Sequence, residues 1–196
     1  MLAIVDSGGA NIASVRFALE RLGVQSELTA DPAVIRAAER VILPGVGAAN
    51  EGMRKLQERG LVDCVRGLTQ PVLGVCLGMQ LLFESSEEGS TETLGLIPGR
   101  VVLLPDSPGI QVPHMGWNTV LTGKEVALLH GIAADARFYF VHSYAGPVNA
   151  FTLASCDHGT PFAAIVQRGN FSGVQFHPER SGTAGAQLLK NFLTLT

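Results

Sequence analysis

The 196-residue sequence is poor in charge, aromatics and cysteine. Charged residues make up 16% of it, and 14 basic against 17 acidic side chains leave a formal net charge of -3. No run of lysine and arginine breaks that balance, so the electrostatic footprint of a nucleic-acid binder is missing. The three cysteines, Cys64, Cys76 and Cys156, are too few and too scattered for a disulfide framework in a chain of this size. No Cys/His spacing matches a zinc site, and neither G-x-G-x-x-G nor G-x-x-x-x-G-K-[ST] follows the first strand, so no metal and no other cofactor is expected. No apolar run approaches the ~18 residues of a membrane span. The opening "MLAIVDSGGAN" lacks a basic n-region and reads as a first strand rather than a signal peptide, which makes a soluble cytoplasmic chain the expectation.

What is abundant is apolar: 46% of residues are hydrophobic. At this length folding buries about 70% of the extended chain's surface, enough for a core without staples, and a single domain over residues 1–196 is expected. Leu2–Val5, Val24–Leu28, "RVILPGVG" and Val72–Val75 read as strands. Helical patterns lie between them: Ile12, Val15, Leu19 and Leu22, then Pro32–Ala38, Ala49–Glu58 and Leu61–Leu68. Such alternation predicts an α/β fold with a parallel sheet covered on both faces. In the second half, runs at Val101–Leu104, Arg137–His142, Phe151–Ser155, Ala163–Gln167 and Ser172–Phe176 have no helices between them, which predicts antiparallel or mixed strands. Ser85–Thr93 reads as a polar loop and Gly185–Leu195 as a closing helix.

The chemistry gathers at "GVCLGMQLLF", residues 74 to 83. G-x-C-x-G is the thiol form of the nucleophile elbow, a strained turn that projects its central side chain from the C-terminal edge of a sheet. Residues two before and two after the nucleophile crowd one another, which accounts for Gly74 and Gly78. Met79–Phe83 continues as a helix in this reading, and its N-terminal amides favour a thiolate. The plainer alternative is a buried structural cysteine, the reading given to Cys64 and Cys156, which lack flanking glycines.

A thiol nucleophile needs a base, and the base an orienting group. "GVQFHPERSG" holds both. Pro178 disfavours helix at His177, and in an extended segment His177 and Glu179 point the same way. Glu179 can then accept one ring N–H while the other nitrogen faces Cys76. Strand C-termini are where open α/β sheets place their sites. The loop "LPGVG", Leu43–Gly47, follows another strand and offers amides for an oxyanion hole beside the amide of Leu77.

A G-x-C-x-G elbow, a downstream H-P-E and an upstream P-G-V-G loop together resemble the class I (triad) glutamine amidotransferases, over essentially the whole chain. The resemblance implies a flavodoxin-like three-layer sandwich with a mixed, mostly parallel central sheet. It also implies hydrolysis of L-glutamine to glutamate and ammonia through a thioester, with Cys76 as nucleophile, His177 as base and acid, and Glu179 orienting His177. Gly45, Val46 and Leu77 would form the oxyanion hole, and Gly47, Gln80, His142, Ser143 and Tyr144 would hold the substrate.

Finer motifs, "VPHMGWN" and "YFVHSYA" above all, resemble the glutaminase subunits of imidazole glycerol phosphate synthases. Such subunits imply a (β/α)8-barrel cyclase as heterodimer partner, with ammonia passed to it in histidine biosynthesis. Asn11, Met115, Trp117, Asn118 and Arg180 are the residues expected at that contact. Met115 and Trp117 sit in what reads as a turn-rich stretch, and exposed Met and Trp are typical interface anchors. In the N-terminal loop, Gly8–Asn11 reads "GGAN", where Ala10 departs from the family's usual G-x-G-N. Two other classes stay open on the residues alone: a different cysteine enzyme on the same scaffold, and a binding module that has lost catalysis.

Overall fold

In the computed structural model, residues 1–7, 12–106 and 109–194 are described. Asn11 and Ala10 lie outside them. In chain order the elements are β1 (Leu2–Val5), α1 (Ile12–Arg21), β2 (Ser26–Thr29), α2 (Pro32–Ala37), β3 (Arg40–Leu43), α3 (Ala49–Glu58), α4 (Val62–Arg66) and β4 (Val72–Val75). There follow α5 (Leu77–Gln80), β5 (Phe83–Ser86), β6 (Thr91–Glu92), β7 (Ile97–Leu103), β8 (His114–Thr119), β9 (Arg137–His142) and β10 (Tyr144–Ala145). The chain closes with β11 (Thr152–Asp157), β12 (Pro161–Arg168), β13 (Phe171–Val174) and α6 (Gly182–Thr194).

A seven-stranded sheet in the order β11-β12-β13-β4-β3-β1-β2 forms the centre. From β13 to β2 every pairing is parallel, and β11 and β12 add an antiparallel edge. The mixed, mostly parallel sheet is therefore present. β1, β4 and β13 are buried at every position, because helices cover both faces of a parallel sheet. Alternate side chains serve two separate cores. Leu2, Ile4, Ile42, Leu73 and Val75 pack with Ile12, Val15 and Leu19 of α1 and Leu188 and Phe192 of α6. Ala3, Val5, Val41, Leu43 and Val72 pack with Ile35, Leu56 and Val65 of α2, α3 and α4. That is the three-layer arrangement.

Local chemistry accounts for the helix boundaries. Asp31 accepts the Ala33 N–H at 2.8 Å and Pro32 opens α2. Gly23, at φ +75°, ends the first helical segment, its N–H donating to Glu20 at 2.9 Å. Among the described residues no helix is long and apolar enough to cross a membrane.

Three expectations need correction. The helix after the elbow covers only Leu77–Gln80, and Phe83 opens β5 instead of closing a helix. Phe83 is drawn into the strand because its ring is fully buried in the second core. The polar stretch Ser85–Thr93 is not a plain loop: β5 pairs with β6 and β7, and Glu88–Ser90 forms a 3-10 turn between β5 and β6. "HMGWN" is not a turn. It is strand β8, in antiparallel register with β9, Trp117 opposite Tyr139 and His114 opposite His142. Gly116 and Asn118, which read as turn formers, sit in that strand, Gly116 at φ +139°.

Candidate active site

The C-terminal ends of three adjacent strands, β3, β4 and β13, deliver the three expected parts to one place. Cys76 follows β4 at φ +53°, ψ −111°, a conformation that side chains other than glycine rarely adopt and that costs about 1–3 kcal/mol. The turn persists because its surroundings over-determine it. The Cys76 N–H donates to the Val174 carbonyl of β13 at 2.8 Å, and Gln80 N–H donates back to the Cys76 carbonyl at 3.1 Å. A Cβ on Gly74 would lie 2.7 Å from the Gly78 carbonyl oxygen, the crowding expected across an elbow. A Cβ on Gly78 would lie 1.9 Å from the carbonyl oxygen of Leu43, so the second glycine answers to β3 and not to Gly74.

Cys76 is only 7% exposed, less open than an elbow at a sheet edge suggests. Its thiol donates toward the Val141 carbonyl at 3.9 Å and accepts from Gln175 Nε2 at 3.8 Å.

His177 and Glu179 come together, but not through an extended segment. His177 alone is extended (φ −100°, ψ 96°), and Pro178–Arg180 then turns as 3-10 helix, which brings Glu179 back onto the ring. His177 Nδ1 donates to Glu179 Oε1 at 2.8 Å, with both side chains at 3% exposure or less. Burial disfavours the charged ring, but the interactions with Cys76 and Glu179 outweigh it and raise the His177 pKa to about 10. Nε2 is buried and makes no well-formed hydrogen bond, a loose geometry common in active sites without substrate.

Ser181 holds the base segment in place. Its hydroxyl, buried with the rest of the residue, lies between the His177 carbonyl and the Tyr139 N–H.

A cavity of about 270 Å³ opens beside the thiol, lined by Val46, Gly47, Gln80, Glu88, His142, Ser143 and Tyr144 with Cys76, Leu77 and His177. Every residue expected to bind substrate is on its wall. Gly45 is not; it lines a small void behind His177 and Glu179, where the loop presses on the elbow. A Cβ there would stand 3.0 Å from the Gly78 nitrogen. Gly47, at φ +96° with open space around it, is the loop residue whose conformation demands glycine.

Two residues of the site were not foreseen, Glu88 on the cavity wall and Gln175 buried behind it. Glu88 Oε2 accepts the Ala49 N–H at 2.8 Å, capping α3, and its carboxylate borders the cavity. Gln175 is fully buried between Cys76 and Gln80, whose Nε2 donates to Gln175 Oε1 at 3.0 Å and to the Tyr144 carbonyl at 2.7 Å. Both hydrogens of Gln80 are thus spent on the protein, which leaves its oxygen as the group for a ligand. "GVQFHPE" carried the signal for Gln175: a polar residue in an apolar strand. For Glu88 the sequence has no comparable sign.

On β8, Met115 and Trp117 are 64% and 51% exposed on one face. Trp117 meets the edge of Tyr139, and Arg180 lies 5.1 Å above the Tyr139 ring, so these side chains form one outward patch. Asn118 belongs to the opposite face. Its Nδ2 donates to the Asp157 carbonyl at 3.0 Å and its Oδ1 accepts the Thr119 N–H, so its side chain is turned inward and away from the patch expected to meet a partner. Among the described residues no group of His, Cys, Asp and Glu could hold a metal ion.

The glutamine amidotransferase class-I family model matches residues 3–195. An imidazole glycerol phosphate synthase subunit HisH from Xanthomonas euvesicatoria is 55% identical over 195 residues, covering 100% of this chain and 98% of that one. Its counterpart from Xylella fastidiosa (strain Temecula1) is 53% identical over 194 residues, covering 99% and 97%. A crystal structure of a glutamine amidotransferase superposes with a TM-score of 0.74 at 20% identity, covering 97% of this chain and 96% of that one, a likeness of fold.

Proposed function

The chain belongs to the class-I glutamine amidotransferase family, and from that premise we propose that it is the glutaminase subunit of an imidazole glycerol phosphate synthase. In this reading one amidotransferase domain, residues 1–196, hydrolyses L-glutamine and passes the ammonia to a (β/α)8-barrel cyclase, its heterodimer partner in L-histidine biosynthesis. The observation that carries the reading is the convergence of Cys76, the buried His177–Glu179 pair and a substrate-sized cavity at the ends of adjacent strands.

The chemistry follows from that geometry. His177 takes the proton of Cys76, and the sulfur attacks the side-chain amide carbon of glutamine. The tetrahedral oxyanion is met by amides of Val46 and Leu77, each worth about 3 kcal/mol. Collapse breaks the C–N bond. His177 returns its proton to the leaving nitrogen, and ammonia departs from a Cys76 thioester. Water then adds to the thioester with His177 as base, and glutamate leaves as the thiol re-forms. Glu179 keeps the ring in the tautomer that presents Nε2 to sulfur and stabilises imidazolium. On the cavity wall, the Glu88 carboxylate and the Gln80 oxygen are acceptors suited to the α-ammonium of glutamine, with the segment His142–Tyr144 suited to its α-carboxylate.

The outward Met115, Trp117, Tyr139 and Arg180 support a partner contact, since large exposed apolar anchors ringed by charge are what interfaces use. The test is glutamate release from L-glutamine by the chain with a cyclase subunit bound. Mass spectrometry after treatment with an electrophilic glutamine analogue would locate the adduct. Labelling at Cys64 or Cys156 instead of Cys76, or no glutamate at all, would refute the reading.

A further inference from the structure

His114 is buried at 4% exposure, 28 residues from its neighbour His142 in sequence, and takes no part in the chemistry above. Hydrogen bonds nevertheless join it to the cavity wall in a chain whose every direction is determined. His142 Nδ1 lies 2.9 Å from the Tyr144 carbonyl, which can only accept, so Nδ1 carries the hydrogen. His142 is a neutral ring, since burial holds its pKa down to about 3 against the pull of the Tyr144 carbonyl. Its Nε2 is therefore an acceptor.

His114 Nδ1 lies 3.1 Å from that Nε2 and must donate. His114 is likewise kept neutral, by burial first and by His158 second, so its own Nε2 accepts. The group facing it, at 3.4 Å, is Asn118 Nδ2, a donor. The Asn118 amide cannot flip without losing its bonds to the Asp157 carbonyl and the Thr119 N–H. His114 is held flat by stacking against His158 at 4.0 Å and Phe140 at 4.8 Å. Four groups thus agree on one arrangement of hydrogens.

The far end of the chain is Gln80. The Tyr144 carbonyl has two lone pairs, one taken by His142 Nδ1–H and the other by Gln80 Nε2–H. In the other tautomer, His142 would turn a lone pair toward that carbonyl, and the repulsion would displace the acceptor that anchors Gln80. We propose that His114 is a positioning residue for substrate recognition: its Nδ1–H fixes the tautomer of His142, and through the Tyr144 carbonyl this holds the Gln80 amide with its oxygen toward the cavity. The ligand group so selected is a hydrogen-bond donor, the α-ammonium of an amino acid, and to that extent the inference rests on the glutaminase reading. Substrate affinity depends on His114 while bond-breaking by Cys76, His177 and Glu179 does not.

The test has two arms on the full chain. Two-bond ¹H–¹⁵N correlation spectra of the ¹⁵N-histidine-labelled protein read the tautomers with no reference to activity. His142 and His114 are both expected as Nδ1–H. Either ring found as Nε2–H, or charged at neutral pH, overturns the proposal whether or not the chain hydrolyses glutamine. In the second arm, glutamine hydrolysis with the partner bound is compared for wild type, His114→Phe and His114→Gln. Phe removes the donor and is expected to raise KM about tenfold, the worth of one or two neutral hydrogen bonds, with kcat within about threefold. Gln restores an N–H and is expected to recover most of the loss. An unchanged KM, or a loss confined to kcat, overturns the proposal. Should His114→Phe fail to fold, the wild-type spectra still decide it. A wild type with both rings as Nδ1–H but no hydrolysis would condemn the glutaminase reading and leave the network standing.

Discussion

The Ser181 hydroxyl donates to the backbone carbonyl of His177 at 2.6 Å and accepts the Tyr139 N–H at 2.9 Å. The His177 N–H returns to the Tyr139 carbonyl at 2.9 Å, so the base is clasped to the middle of β9 by its own backbone.

Ser181→Ala is expected to take the hydroxyl from the Tyr139 N–H and to leave the His177 carbonyl with the Arg180 N–H alone, destabilising the chain by about 1–3 kcal/mol. Glutaminase kcat should fall about tenfold, because the ring of His177 shifts relative to the sulfur. Urea titration and steady-state kinetics on one preparation read both. Stability lost with kcat intact would mean that the clasp does not position the ring.

Cys76→Ala and Cys76→Gly should both abolish hydrolysis, but they should differ in stability. Alanine keeps the unfavourable φ of +53°, whereas glycine releases it. Glycine is expected to be the more stable of the two by about 1 kcal/mol, after its larger loss of backbone freedom. Denaturant midpoints rank them, and an Ala variant at least as stable as Gly would show that the elbow carries no strain.

Protons act on stability from both sides. His114 and His142 are depressed to about 4 and about 3 by burial, so their contribution is whole above the unfolded histidine pKa and is lost as pH falls through those values. His177 is raised to about 10 by Cys76 and Glu179 against burial, so its contribution is whole below about 6.5 and is lost as pH rises through about 10. Urea midpoints across pH 3 to 11 should therefore fall at both ends. In Cys76→Ala the interaction with sulfur is gone, so the alkaline fall should be smaller and complete at a lower pH; an unmoved alkaline limb would mean that sulfur does not act on the ring.

Gly78→Ala should be among the most damaging single changes, since its Cβ, on α5, would lie 1.9 Å from the Leu43 carbonyl oxygen of β3, a backbone atom that cannot swing aside as a side chain can. A loss of about 3 kcal/mol or more is expected. Gly47→Ala meets no atom but must hold φ +96°, so a cost of about 1–2 kcal/mol is expected, along with a lower kcat as the loop beside the cavity shifts. Thermal unfolding and kinetics on the pair separate clash from conformation; equal losses of stability would contradict both assignments.

The parts of the site built from backbone constraint were legible in the sequence. Gly74 and Gly78 around Cys76 are residues whose identity is set by geometry, and Pro178 keeps His177 itself extended, but Glu179 meets the ring through a 3-10 turn and not through the extended segment expected. Contacts between side chains distant in sequence were less legible. Gln175 comes to lie behind Cys76 and Gln80 because β13 lies against β4, and Glu88 reaches the cavity because a 3-10 turn abuts α3, relations that no local pattern announces. "HMGWN" misled because Gly116 and Asn118 suggest a turn. Pairing with β9 overrode that preference, and it was the strand's alternation that sent Met115 and Trp117 outward and His114 inward.

The order of the central sheet bears on how the protein is made. β4 pairs with β3 from earlier in the chain, but its other neighbour, β13, is synthesised about a hundred residues later: Val72 faces Phe171 and Val75 faces Val174. Until that last strand is released by the ribosome, the elbow lacks the carbonyl of Val174 and the thiol has no histidine beside it. A growing chain therefore carries Cys76 but neither His177 nor Glu179, and so no means of consuming glutamine. Activity appears only with the complete sheet, so in a translation reaction the onset of glutamate production would serve as a clock for the final step of folding.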